Sequence, residues 1–221
     1  MATVLERTTK ARPKPWTLAD LARMFGPMPP ERVRHNPLPG LATARDALTL
    51  HDREDILCEL VDGVLVEKVM GYEESILALE IGSLLKEFVR PRKLGVVAGE
   101  GGMLRLSPKL VRIPDVSFVA KSRLPKGKPP RGTTPELVPN LAVEVLSQSN
   151  TDREMARKLT DYFESGVELV WYVDPPTRTI TVFTAPDKVI ELKGAQMLTG
   201  GKVLPGFKIK VEKIFSVLDE L

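Results

Sequence analysis

The chain has 221 residues, of which 43% are hydrophobic and 28% charged, and its formal net charge is +3. These are ordinary values for a globular protein that can bury a full core, and the net charge is too small to demonstrate nucleic-acid binding. The single cysteine, Cys58, excludes an internal disulfide and a Cys-x-x-Cys zinc or redox motif, so we expect a cytoplasmic protein. The sequence predicts neither a membrane span nor a signal peptide.

The N-terminal 42 residues differ in composition from the rest. Residues 1 to 15 form a basic arm, residues 18 to 25 follow Thr17 as a short capped helix, and residues 27 to 40 are rich in proline. We predict that residues 1–42 are a basic, Pro-rich extension to a domain that spans residues 43–221.

A β-hairpin and a long helix follow a short helix that starts near Thr43. The apolar runs 56–61 and 64–69 flank Asp62-Gly63, which is a strong hairpin signal, and Glu59 interrupts the first run. Residues 73 to 90 have helical periodicity and end before Pro91. Two short strands, 94–98 and 103–106, flank a glycine-rich turn that we predict to be a hairpin turn.

Two further apolar strands each carry one carboxylate. Asp115 lies within the run 111–119, and Glu144 lies within the run 141–146. Such runs are typical of buried strands, in which an ionised carboxylate costs several kcal/mol unless a cation meets it. Each of these two acids therefore needs a positively charged partner.

A helix follows the second of these strands. Thr151 and Glu154 are spaced as a capping box, and Gly166 marks the stop. Helical geometry places Lys158 at the edge of the apolar face, so we predict that it points inward. Asp115, Glu144 and Lys158 could bind Mg²⁺ and stabilise negative charge, which indicates phosphodiester hydrolysis. They could also form a buried ion pair without any catalytic role.

The segment between the two acidic strands is strongly cationic. It carries Lys121, Arg123, Lys126, Lys128 and Arg131 in eleven residues without an acid. A long Pro/Gly-rich loop of this kind can contact a polyanion backbone, and a solvated surface loop is the alternative. No aromatic residue interleaves with the charges, which favours phosphate contacts over base stacking.

The remaining elements complete an α/β (α+β) pattern. Further strands are predicted at 169–173, 179–183, 189–192 and 207–210, with a last helix from 211 to 221. We expect a mixed, largely antiparallel central sheet flanked by helices, with the strand 141–146 at its centre.

Several segments, taken in order, form a recognisable set: Ile113 to Val119, Pro139 to Ser147, Lys158 with Tyr162-Phe163, and Trp171 to Pro175, with flanking segments at Glu59 to Val66 and Leu204 to Phe207. In these segments the chain resembles the Uma-type restriction endonuclease family of the PD-(D/E)xK nuclease superfamily. The resemblance implies a restriction endonuclease-like fold and a metal-dependent endonuclease that cleaves DNA.

The resemblance also implies roles for individual residues. Asp115 and Glu144 would hold Mg²⁺ or Mn²⁺, with Glu59 as a third acid and the Val145 carbonyl as a further ligand. Position 146 is Leu where the superfamily motif has Lys, and Lys158 is the expected substitute. Many relatives carry a His at the start of the first long helix, where this chain has Glu74, so the role of that position stays open.

Related nucleases often act as dimers, so a homodimer is expected, although the sequence does not indicate which face of the chain would form the dimer interface.

Two other classes of function remain open. A non-catalytic nucleic-acid binder that retains the fold would bind DNA in a salt-sensitive manner without cleaving it. A homo-oligomeric interaction module would respond to neither DNA nor Mg²⁺.

Overall fold

The computed structural model describes residues 14–219. The predicted basic arm lies almost entirely outside the described residues. Within them, the α-helices are α1 (Leu18–Phe25), α2 (Ala44–Glu54), α3 (Tyr72–Arg92), α4 (Asp152–Glu164) and α5 (Val211–Phe215). The strands are β1 (Cys58–Val61), β2 (Val64–Glu67), β3 (Gly95–Gly99), β4 (Leu104–Ser107), β5 (Leu110–Arg112), β6 (Val116–Ala120), β7 (Leu141–Val145), β8 (Leu169–Asp174), β9 (Thr179–Ala185), β10 (Lys188–Lys193), β11 (Met197–Gly200) and β12 (Leu204–Lys210).

The larger sheet has the order β10-β9-β8-β7-β6-β3, and β7 lies in its interior as predicted. Only the β7–β8 pair is parallel in this sheet, so it is mixed and largely antiparallel. Side chains of β7 alternate between the two faces. Val143 packs with α3 and α5, whereas Ala142 packs with α4. Glu144 therefore also points toward α4.

The smaller sheet has the order β2-β1-β5-β4 and begins with the predicted hairpin. Asp62 and Gly63 both have positive φ, as a tight two-residue hairpin turn requires. One face of this sheet packs on α2, and the other packs on residues of α1 and the segment after it. The third sheet pairs β11 with β12. The sequence had not predicted β11.

Two predictions about strands were wrong. The run 111–119 is not one strand, because the chain leaves the smaller sheet after β5 and enters the larger sheet at β6. Pro114, which has no backbone N–H, lies in the break between them. The strands β3 and β4 do not form a hairpin either, since β3 pairs with β6 and β4 pairs with β5.

The helix ends differ slightly from the predictions. Helix α3 extends through Pro91 to Arg92, and the last helix gives way to a 3-10 turn after Phe215. Thr151 caps α4 by accepting a hydrogen bond from the Glu154 N–H, but the predicted capping box is incomplete. The Glu154 carboxylate instead forms a buried ion pair with Arg32 at 2.8 Å.

Candidate active site

The break between β5 and β6 positions the first candidate residue. The Asp115 N–H donates to the Val143 carbonyl at 3.0 Å, and the Val145 N–H donates to Asp115 Oδ2 at 2.6 Å. Asp115 is thereby held against the end of β7 and is only 2% exposed. Burial raises the pKa of Asp115, and the neighbouring Glu144 charge raises it further, although Lys68 opposes both effects.

Glu144 projects from β7 into the space between the two larger sheets. Its Oε2 accepts hydrogen bonds from Lys158 at 3.0 Å and from Lys68 at 3.3 Å, and its Oε1 accepts from the Tyr162 hydroxyl. Burial raises the pKa of Glu144, but Lys158 and Lys68 outweigh burial, so the pKa lies below its usual value. Glu144 is therefore ionised at neutral pH.

Lys158 points inward from α4, as predicted. Its side chain is 3% exposed, and its Nζ lies 3.0 Å from Glu144 and 3.3 Å from Glu59. Because the helix brings both Lys158 and Tyr162 to the same carboxylate, α4 fixes the orientation of Glu144 from one side.

Lys68 is a second ammonium that sequence reasoning missed. It follows β2 at the end of the hairpin, and its Nζ lies 2.7 Å from Asp115 Oδ1 and 3.3 Å from Glu144 Oε2. These two distances add up to 6.0 Å, which is the largest separation that the two carboxylate oxygens can have. Burial lowers the pKa of Lys68, but the two acids outweigh burial and raise it, so Lys68 is charged.

Glu59 also reaches the cluster, but its two oxygens have other partners. Oε1 accepts the Ile113 N–H at 3.0 Å and Oε2 accepts from Arg112 at 2.7 Å. Arg112 forms a further ion pair with Asp161, which also pairs with Arg157 at 2.7 Å. Arg112 was missed as well, although a charged residue inside an apolar run was the same signal that had marked Glu59.

Two acids of the cluster, Asp115 and Glu144, could hold a divalent cation. Asp115 and Glu144 offer carboxylate oxygens, the ligands that Mg²⁺ prefers, and both face the same point. Asp115 Oδ1 is buried and has a charge partner in Lys68, but it accepts no well-oriented hydrogen bond within the described residues. Across residues 14–219, no group of three or more His, Cys, Asp or Glu side chains is arranged to hold a metal ion. Glu59 would have to give up partners to join as a third ligand.

A small pocket opens from this cluster. Its volume is about 10 Å³, which is room for about one water molecule. The pocket is lined by the charged residues Arg32, Lys68, Asp115, Glu144 and Lys158 and by Val145, Glu74, Ser147 and Asn150. Val145 and Glu74 thus lie beside the site. The sequence had left the role of Glu74 open, and the structure places this residue in the lining of the pocket.

A larger groove of about 500 Å³ also reaches Asp115. One wall is α3, through Ser75, Ala78, Gly82, Ser83 and Lys86, and the opposite wall includes Gly99 and Glu100 at the end of β3. This groove joins the buried acid to the molecular surface.

A comparison with known families decides where the chain belongs. The model of the family described as "Uma2: Putative restriction endonuclease" matches residues 44–212. The chain belongs to this family. A solved structure described as a putative nuclease belonging to DUF820, from Anabaena variabilis, is similar with a TM-score of 0.66 and 18% identity. The similarity covers 73% of this chain and 91% of that chain and shows the restriction endonuclease-like fold. None of the curated proteins compared with the chain matches it.

In the structure of this Uma2 chain the cationic loop starts away from the acids. The loop leaves β6 after Ala120, at the opposite end of the strand from Asp115, which is roughly 17 Å of extended chain. Arg123 is engaged in an ion pair with Glu168 and in hydrogen bonds to three carbonyls. The other cations predicted to contact nucleic acid, Lys121, Lys126, Lys128 and Arg131, are exposed.

Cys58 has a buried apolar role. It is fully buried in the core under α2, and burial raises the pKa of its thiol to about 12. A thiol with this pKa is not a nucleophile at neutral pH.

Among the described helices, none has the length and apolar character needed to cross a membrane.

Proposed function

We propose that the protein is a Mg²⁺-dependent endonuclease that hydrolyses phosphodiester bonds in DNA. The observation that carries this proposal is the convergence of Asp115 and Glu144 on one point, with the Lys158 ammonium 3.0 Å from Glu144. Membership of the Uma2 family supports it. A protein that only needed a stable core would be served as well by apolar residues at these positions.

Four residues of the cluster, Asp115, Glu144, Lys158 and Glu59, have parts in the proposed reaction. Asp115 and Glu144 would hold the cation, which when bound lowers the pKa of water and neutralises phosphate charge. A water attacks phosphorus, the bond to one ester oxygen breaks, and that oxygen takes up a proton. Lys158 stabilises the negative charge that develops on the phosphate oxygens. Glu59 acts as a positioning residue, because it forms a second ion pair with Lys158 at 3.3 Å.

The test is nicking of supercoiled plasmid by the purified protein. We expect conversion to the open circle in Mg²⁺ or Mn²⁺ and none in EDTA. Asp115→Asn protein, purified in the same way, controls for a contaminating nuclease and should leave the plasmid supercoiled. Cleavage that persists in EDTA or in the variant would refute the proposal, whereas DNA binding without cleavage would indicate a non-catalytic binder.

The groove along α3 is the proposed route by which the DNA strand reaches Asp115. Glycine in the middle of a helix costs about 1 kcal/mol relative to alanine. A Cβ at Gly82 would meet the two methyl groups of Val116 at 3.9 Å, which is ordinary contact, so core packing does not require glycine there. The absent side chain keeps the groove open beside the acid.

This route predicts opposite effects on stability and activity. Gly82→Ala and Gly82→Leu should each raise the free energy of unfolding by up to about 1 kcal/mol, since both residues favour the helix. Nicking should decrease modestly for Ala and by roughly tenfold or more for Leu, because the larger side chain fills the groove. Urea denaturation and plasmid nicking on the same preparations check this. A stable Gly82→Leu protein with the wild-type rate would exclude the groove as the route.

A further inference from the structure

Lys68 is not needed to explain the fold or the proposed reaction, yet it lies between the two acids. Its side chain is 9% exposed, and its Nζ contacts Asp115 at 2.7 Å and Glu144 at 3.3 Å. An ammonium in this position stands where a cation shared by the two carboxylates would be. It balances two negative charges that would otherwise repel each other in a buried site.

The position cannot be shared by Lys68 and a divalent cation. Mg²⁺ binds carboxylate oxygen at about 2.0–2.1 Å, so an ion that bridges the two acids would overlap with the ammonium. The backbone of Lys68 is fixed by a hydrogen bond from its N–H to the Leu57 carbonyl at 2.8 Å. Because this hydrogen bond holds the backbone in place, the side chain of Lys68 has to move when a metal ion binds.

We propose that Lys68 is a built-in counter-cation that occupies the cation position between Asp115 and Glu144 and is displaced when a divalent metal ion binds. The inference rests on the proposed function, because it assumes that these two acids are the metal ligands. Lys68 then sets the metal affinity of the site, and its released ammonium becomes available to the substrate phosphate.

The charges of the surrounding network are consistent with this exchange. Five acids (Glu59, Asp62, Asp115, Glu144 and Asp161) contact four cations (Lys68, Arg112, Arg157 and Lys158), so the network carries one net negative charge with Lys68 in place. A divalent ion that binds while the released ammonium stays beside the site adds two positive charges and leaves the network with one net positive charge. A phosphodiester carries one negative charge, so the metal-loaded site is matched to its substrate.

Calorimetric titration with Mn²⁺ tests the competition. Lys68→Met removes the ammonium but keeps an unbranched side chain only one atom shorter, so it should bind Mn²⁺ at least tenfold more tightly than the wild type. Lys109→Met removes an exposed lysine at the β4–β5 turn and should bind like the wild type. Lys68→Met should also melt at a lower temperature in EDTA, and Mn²⁺ should raise its melting temperature more than that of the wild type.

The outcomes separate this inference from the proposed function. If the wild type binds Mn²⁺, Asp115→Asn does not, and Lys68→Met binds no more tightly than the wild type, the metal site stands and displacement of Lys68 is refuted. If neither the wild type nor Lys68→Met binds Mn²⁺, the metal site and the displacement are refuted together.

A measurement on the unmodified protein does not depend on the variant folding. Reductive methylation followed by mass spectrometry reports how accessible each lysine amine is. Lys68 should be protected in EDTA and react several-fold faster at saturating Mn²⁺, whereas Lys109 should react equally in both conditions. A Lys68 amine that stays protected when the metal site is saturated would overturn the inference.

Discussion

Replacing Glu144 with Gln should reduce Mg²⁺-dependent plasmid nicking by about 10²- to 10³-fold, the range seen when one preorganised electrostatic group is lost from an active site. The amide keeps the shape of the side chain but removes the charge that faces Lys68 and Lys158. In the proposed scheme it also removes one of the two ligands for the cation. Initial rates of nicking over a range of Mg²⁺ concentrations measure the effect.

The matched control for this variant is Glu154→Gln. Glu154 is another buried carboxylate, 1% exposed and paired with Arg32 at 2.8 Å. Arg32 lines the small pocket beside the proposed metal site, but Glu154 itself does not. Both variants should lower the melting temperature, and only Glu144→Gln should lose the nicking activity. Equal activity of the two variants would remove Glu144 from the mechanism.

Local sequence signals were sufficient for much of the site. The strand that carries Glu144 and the helix that carries Lys158 are short-range features, defined by an apolar run, a capping residue and the angular position of one lysine. The hairpin was equally clear, because Asp62-Gly63 supplies both positive φ values. These elements are predictable because neighbours in sequence determine them.

The partition of the strands between the sheets depends on contacts far apart in sequence. An apolar run on both sides of Asp115 looks the same whether it forms one strand or two. Pro114 was the available signal for a break, but proline is also compatible with a strand start. The glycine cluster at residues 99–102 similarly marked a turn without revealing that its two strands pair with different partners.

The cations of the site were harder to predict than its acids. Lys68 lies next to Glu67 at the end of a hairpin strand, where a lysine is usually solvated, and only the packing of the two sheets brings it to Asp115. Arg112 could have been predicted from the sequence, since it interrupts an apolar strand as Glu59 does. A charged residue inside a buried run needs a partner whatever its sign, and this rule would have indicated the ion pair.

The second large effect is expected at Arg112, which holds two buried acids at once. Arg112→Met should lower the free energy of unfolding by about 3–5 kcal/mol, the usual cost of removing one partner from a buried ion pair. The reason is that Glu59 loses its partner at 2.7 Å and Asp161 loses its contact with the guanidinium. Urea denaturation, followed by circular dichroism, gives the value.

The control for Arg112 is an arginine whose ion pair is exposed. Arg178 pairs with Asp219 at 2.6 Å, but both side chains are at least half exposed, so Arg178→Met should lower the free energy of unfolding far less than Arg112→Met. Arg112→Lys keeps the charge but provides no planar fork for two carboxylates, and it should fall between the two. If Arg112→Met is no less stable than Arg178→Met, the buried network does not hold Glu59 in place, and its assignment as the positioning residue for Lys158 fails.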